Sequence, residues 1–392
     1  MGAYRYGVIG AGRQGTAAAF DLAVRGDAEE VLLADVDPEA ARSAAERVDQ
    51  LAGSQVCRSV ALDASDVPAV AAFLTGLDAA VDAAPLHLIA DVTRAALDAR
   101  THVVDLSADP DTLRLQFELH DEAATRGVAI VPGCGEAPGI GSHVQAYVLT
   151  QLDEAQELQF YDAGLPLEPE PPWNYRLTFH IDGLFNEYAH PVRWLRDGTP
   201  IDVTNLDPAE TVTIELAPPL GVLEAFPSNA GGTVVRTLGG GLRTYEARVL
   251  RYPGHVAQMN AFRDLGLFRT DHVAVDGTRV VPRELLSVLL EPQIVAGPEV
   301  RDIVVARAEA YGLLDGRRMR SVVELRDVPD PATGFTGMER TTGFHAAIVT
   351  AMAARGEIRA GVLPPELAAA PVPMMAELRA RGFQIEESLE PV

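Results

Sequence analysis

The sequence predicts an α/β chain in two parts, a doubly wound parallel sheet followed by a mixed α/β domain whose sheet is largely antiparallel. Three observations carry that expectation. Up to about residue 131, short apolar strands alternate with Ala- and Arg-rich helical stretches. The first strand runs directly into a glycine-rich turn. From about residue 135 the texture changes to longer alternating runs, prolines and a hairpin signal.

The strands of the first part are expected at 6–9, 31–35, 56–61, 78–82, 102–105 and 128–131. Strand Tyr6–Ile9 leads into Gly10-Ala11-Gly12-Arg13-Gln14-Gly15, which opens a helix of good formers from Thr16 to Val24. Twenty residues past Gly15, the apolar run from Val31 to Ala34 ends on Asp35. This is the dinucleotide-binding fingerprint of a Rossmann domain in its full context. Gly10 allows the tight turn, Gly12 lets a pyrophosphate approach the helix N-terminus, and Gly15 lets helix and strand pack closely. Asp35 is placed to accept hydrogen bonds from the adenosine ribose, where a 2'-phosphate would meet its negative charge. Val36 and Asp37 follow it with no arginine, so the expected cofactor is NAD. Ligands of such sheets lie past the carboxyl ends of the strands. That adds Asp63 and Ala64, then Ala83, Ala84 and Pro85, then Asp105 to the cofactor set with Arg13 and Gln14; Asp105 is read as reaching the cofactor or sealing the crevice.

In the second part, the proline-rich run Leu165 to Pro172 reads as an extended loop over a site, outside any central strand. Alternation at 176–181, 212–216 and 244–250 predicts strands, and Val300–Leu314 and Arg317–Val328 flank Asp315-Gly316, a type I' hairpin signal. An apolar helix at Thr342–Ala354 and an amphipathic one near Pro373–Arg381 complete the chain. The expected units are 1–135, 136–334 and 335–392, without a flexible linker.

A chain of 392 residues is long enough for two cores, and its net charge of -24 argues against nucleic acid or anionic lipid as partner. No apolar run has membrane length and no secretory leader is visible. Two cysteines, Cys57 and Cys134, fit neither a disulfide framework nor a zinc site, so a soluble cytoplasmic protein is expected. All 32 Lys+Arg residues are arginine, which leaves proton transfer to His, Glu, Asp, Tyr, Cys or water.

Gly-Leu-Pro at 164–166, Pro-Pro-Trp-Asn-Tyr at 171–175, Asn-Glu-Tyr at 186–188, Glu-Ala-Phe-Pro at 224–227, Arg-Tyr-Pro-Gly-His at 251–255 and Arg-Thr-Thr-Gly-Phe at 340–344 follow in order. With the N-terminal fingerprint, the chain resembles the saccharopine dehydrogenase-like reductases, most closely the NAD-dependent L-lysine 6-dehydrogenases. The resemblance covers essentially the whole chain. It implies that residues 335–392 return as helices to the nucleotide-binding domain. Two positions depart from the pattern. Gly133 stands where such proteins usually carry an aspartate, and His190 where they usually carry an arginine. The absence of lysine also sets the chain apart from the lysine-forming saccharopine dehydrogenases, which use a lysine and histidine pair.

Oxidising an amine by hydride transfer needs a neutral nitrogen, a base and a water to hydrolyse the imine. His255 is the first base to consider; its alternative is a capping or exposed residue after Pro253-Gly254. Glu187 reads as the ammonium ligand or the base, or as a salt-bridge partner of Arg193 or Arg196. Arg251 is the candidate guanidinium for a substrate carboxylate, with a surface ion pair as its alternative. Tyr175 and Trp173 can wall an aliphatic chain, and Cys134 reads as lining without being a nucleophile. The leading reading is NAD-dependent oxidative deamination of a lysine-like amino acid by a symmetric homo-oligomer. A reductive enzyme joining an amine to an aldehyde, and an NAD-holding module without turnover, are the other two.

Overall fold

The computed structural model describes residues 3–107, 109–189, 191–297 and 299–392. His190 lies outside the described residues, so the departure noted there has no structural account.

The strands are β1 (Tyr4–Ile9), β2 (Ala28–Asp35), β3 (Cys57–Ala61), β4 (Ala79–Asp82), β5 (His102–Asp105), β6 (Ala129–Val131), β7 (Glu154–Pro166), β8 (Val192–Arg196) and β9 (Thr199–Val203). They continue as β10 (Val212–Leu216), β11 (Gly221–Pro227), β12 (Thr244–Arg251), β13 (Val273–Val275), β14 (Thr278–Val280), β15 (Asp302–Leu314), β16 (Arg317–Asp327), β17 (Gly361–Val362) and β18 (Gln384–Pro391). The first six and β17 form an all-parallel sheet of order β17-β6-β5-β4-β1-β2-β3. Its order reverses between β1 and β4, the switch point at which open α/β sheets bind ligands. Tyr6, Val8, Val31, Leu33, Val81 and Val104 are buried, as a sheet covered on both faces requires.

The second sheet has nine strands, with the path β10-β11-β12-β7-β15-β16-β18 and with β8 and β9 attached through β12. Its pairs are antiparallel except β12 with β7. The type I' turn is present: Asp315 and Gly316 have φ of 50° and 73°, the geometry that lets the twisted strands β15 and β16 continue in register. Two sequence expectations change here. Leu165 and Pro166 are not loop residues but the end of β7, a central strand, where they pair with Ile303 and Asp302. A proline is tolerated at that strand end, and the irregular chain begins only beyond it. Residues 176–181 do not form a strand; Leu177 makes a single bridge to Val295 and the chain then enters helix Ile181–Ala189.

The last segment serves both sheets. Helix Gly337–Ala354 packs on helix Arg13–Arg25 through Phe20, Phe335 and Phe344. Its N-terminus is held by a Thr336–Glu339 capping box and by Asp302 of β15, which accepts from the amides of Gly337 and Met338 at 2.7 and 2.8 Å. Arg381 forms a buried ion pair with Asp21 at 2.8 Å. β17 extends the parallel sheet beside β6, but β18 then crosses to pair with β16. The expectation of helices alone missed this strand, whose sequence Gln384-Ile385-Glu386-Glu387 is too acidic to read as one. Among the described residues, no helix is long and apolar enough to cross a membrane.

Candidate functional site

The glycine-rich turn is built as its spacing demands. Gly10 has φ of 101°, and a Cβ there would lie 2.6 Å from the Ala83 carbonyl oxygen. A Cβ on Gly15 would overlap the Gly10 carbonyl oxygen, whereas one on Gly12 would meet nothing within 4 Å. The space in front of Gly12 and the free amides of the helix N-terminus therefore fit a dinucleotide pyrophosphate. Asp35 accepts from the Ala11 amide at 2.8 Å and the Asp37 amide at 3.0 Å, tying the end of β2 to the turn. Val36 is exposed beside it. Arg13 and Gln14 reach the other half of the molecule. Arg13 donates to the carbonyls of Ala296 and Gly297 at 2.6 and 3.3 Å, and Gln14 to that of Thr178 at 3.3 Å.

The remaining strand ends divide. Ala84 donates its amide to Asp82 at 3.0 Å, and Ala84 and Pro85 line a cavity at the carboxyl end of β4. Asp63 is exposed and accepts from the amide and hydroxyl of Ser65, which holds its carboxyl below the usual range, and Ala64 is buried. Asp105 does not face the crevice. Its buried carboxylate accepts from Gln116 at 2.6 Å, Ser107 at 2.9 Å and Gly133 at 3.2 Å, so it ties β5 to the loop after β6. Burial pushes its carboxyl up to about 6 against those bonds.

That cavity, of about 330 Å3, lies between the two sheets. One wall is Ala83, Ala84, Pro85 and Leu106 from the parallel sheet. The opposite wall carries Asp162 of β7, Glu187 of helix Ile181–Ala189 and Arg251 of β12, and Glu136 enters from the loop after β6. Arg251 donates to Glu187 at 2.7 Å and to the Leu250 carbonyl at 2.9 Å, while its guanidinium covers the Tyr175 ring at 4.9 Å. Burial raises the Glu187 carboxyl to about 7; Arg251 opposes the rise and Asp162 adds to it. Glu136 and Asp162 adjoin in this wall, and two buried carboxyls this close favour a single proton between them. Burial and the Asp162 charge push the Glu136 carboxyl well above its ordinary value.

The alternative that the sequence left for Glu187, a salt bridge to Arg193 or Arg196, is not formed: those arginines pair with Asp202 and Glu210. Glu187 instead meets Arg251, which brings two predicted residues together inside the cavity. His255 does not line it. The imidazole is buried behind the wall with Trp173, Tyr175 and Met259, and its Nε2 lies 2.8 Å from the Tyr188 hydroxyl. Burial, then the Arg251 charge, push its pKa well down, which favours the neutral imidazole. Tyr175 is likewise buried beneath Arg251, and Trp173 donates to Gln293 at 3.2 Å. Cys134 is fully buried, does not line the cavity, and its thiol is raised by burial, which leaves it a packing residue. Glu136 and Asp162 were missed. The signal was an ionisable residue in an apolar setting: Asp162 interrupts the apolar part of β7, and Glu136 stands in Gly133-Cys134-Gly135-Glu136-Ala137-Pro138.

Residues 6–131 match the model of the saccharopine dehydrogenase NADP binding domain, and residues 135–383 that of the saccharopine dehydrogenase C-terminal domain. Mitochondrial alpha-aminoadipic semialdehyde synthase of Mus musculus is 22% identical over 378 residues, covering 78% of this chain and 40% of that protein. The Arabidopsis thaliana alpha-aminoadipic semialdehyde synthase is 24% identical over 245 residues, covering 59% of this chain and 23% of that protein. The chain thus spans less than half the length of the curated relatives it matches. Among solved structures, the L-Glu-forming saccharopine dehydrogenase of Saccharomyces cerevisiae superposes with a TM-score of 0.78 at 20% identity, over 99% of this chain and all of that one. Homospermidine synthase of Legionella pneumophila, solved with NAD, gives 0.65 at 13% identity, over 99% of this chain and 91% of that one. These two likenesses show the fold. The two adjoining domain matches show more: the chain belongs to the saccharopine dehydrogenase family of NAD(P)-dependent oxidoreductases.

Proposed function

We propose that the protein oxidises the amine of a lysine-like amino acid by hydride transfer to NAD, releasing the nitrogen after hydrolysis of the imine. One observation carries the reading: the cavity past β4 joins the cofactor crevice on one side to the Glu187–Arg251 pair on the other. A nicotinamide cofactor, when bound, supplies the hydride acceptor. Glu187 takes the proton from the substrate nitrogen, a task suited to a carboxyl near 7, and Arg251 holds it in place. Arg251 reaches a substrate carboxylate only by sharing its guanidinium with Glu187. Ala84, Pro85 and Leu106 keep the facing wall apolar and exclude water from the reacting carbon.

The choice of NAD rests on Asp35, Val36 and Asp37, which offer carboxylates and no cation to a 2'-phosphate. Incubation with NAD and a panel of amines and amino acids should produce NADH absorbance, with NAD favoured over NADP by about tenfold in kcat/KM, or about 1.4 kcal/mol. Equal use of both cofactors removes the Asp35 argument, and no NADH from any amine removes the deamination reading. The surplus of carboxyls in the cavity also suits reductive joining of an amine to an aldehyde. That alternative is read from NADH consumption when both are supplied.

A further inference from the structure

We propose that Glu136 and Asp162 form a binding subsite for a cationic nitrogen of the substrate, which replaces the single proton the two carboxyls otherwise share. The inference deepens the amine reading and rests on it for the identity of the reaction, though not for the binding. Both side chains are more than nine-tenths buried, and both line the cavity. Among the described residues, no group donates a hydrogen bond to Glu136 Oε1 or Asp162 Oδ1. Buried carboxylate oxygens left without donors are costly, so the pair is built for something that enters.

The charges around the pair define the entrant. The groups facing it are Glu187 of helix Ile181–Ala189 and Arg251 of β12, which neutralise one another at 2.7 Å. That leaves one negative charge, shared by Glu136 and Asp162 with their proton. A substrate ammonium entering between them expels that proton, and two carboxylates with one ammonium again carry one negative charge. The exchange leaves the buried charge unchanged, which avoids the large cost of adding an ion to a low-dielectric site. An anionic group placed between the two carboxyls would meet like charge, and the guanidinium of Arg251 already donates to Glu187 and to the Leu250 carbonyl. The chemical class is therefore an amine with a second cationic nitrogen, a diamine or the ammonium of a diamino acid.

Calorimetric titration of the NAD-loaded protein with cadaverine, at pH 7 in two buffers of different protonation enthalpy, tests this. Cadaverine should bind with release of close to one proton, while uncharged pentanediol should bind at least about tenfold more weakly. E136Q and D162N should each abolish the proton release and weaken cadaverine about tenfold or more, with pentanediol unchanged. The rise in Tm on adding NAD reports that each variant is folded, and the proton count of the unmodified protein stands without either variant. Cadaverine binding without proton release, binding by both variants as by the unmodified protein, or no binding at millimolar cadaverine would each overturn the subsite. Amine-dependent NADH formation without proton-linked binding overturns the subsite and keeps the oxidoreductase reading. Proton-linked binding without turnover of any amine does the reverse.

Discussion

On its nucleotide side the cavity is lined by strand ends and turn backbone, Ala83, Ala84, Pro85 and Leu106, whereas on the other side it is lined by charged side chains gathered from β7, helix Ile181–Ala189, the end of β12 and the loop after β6. The first wall works through where its backbone runs, and a glycine or alanine suffices. The second works through which ionisable groups the fold gathers, and Glu187 and Arg251 hold each other from different elements. A cofactor recognised by backbone amides leaves its mark as spacing along the chain. A substrate recognised by converging side chains leaves almost none.

Three substitutions test how far that contrast goes. The largest effect belongs to Gly15→Val, whose side chain would overlap the Gly10 carbonyl. NAD affinity, measured by calorimetry, should fall by more than about 100-fold, or about 2.7 kcal/mol. Binding within a few-fold of the unmodified protein would break the claim that backbone makes this wall. Glu187→Gln comes next, with kcat/KM expected to drop about 100-fold and NAD affinity unchanged. The ionised carboxylate is the working form and its pKa lies at about 7, so kcat/KM should rise with pH and level off above that value. In Glu187→Gln that limb should be flat; a persisting limb would move the base elsewhere. The smallest effect is expected of His255→Phe, because the imidazole lies behind the wall and bonds Tyr188. Losing that bond should cost roughly 1 kcal/mol of stability and less than about tenfold in kcat. A 100-fold loss of kcat would restore His255 as a base and blur the distinction between the walls.

The legibility of the molecule follows the same division. All six strands expected before residue 135 are present, because the parallel sheet imposes a short apolar run on its inner strands, such as Val31-Leu32-Leu33-Ala34 of β2. Gly10, Gly15 and Asp35 stand where their spacing put them. The pairing of Glu187 with Arg251 was beyond reach, since it depends on helix Ile181–Ala189 lying against the end of β12. His255 reads like a base because free histidine titrates near neutrality, whereas burial and the neighbouring Arg251 charge push its pKa well down, and neither shows in the sequence. Asp105 has the position of a cofactor ligand, but Gln116 and two backbone amides had already claimed it. β18 escaped because an edge strand held by β16 alone needs no apolar alternation, and its glutamates find arginines such as Arg320 and Arg379.

The path of the last residues has a consequence for how such a protein can change over evolutionary time. The parallel sheet takes strands from 4–131 and again from 361–362, and the mixed sheet takes strands from 154–327 and again from 384–391. Neither sheet is encoded by one uninterrupted stretch of gene. A recombination event with a single crossover near residue 135 would leave β18 with its own β16 but set β17 against a foreign β6, so the parallel sheet would be assembled from two parents. Innovation by shuffling halves is thereby discouraged, and new specificity is left to arise one residue at a time along the cavity wall.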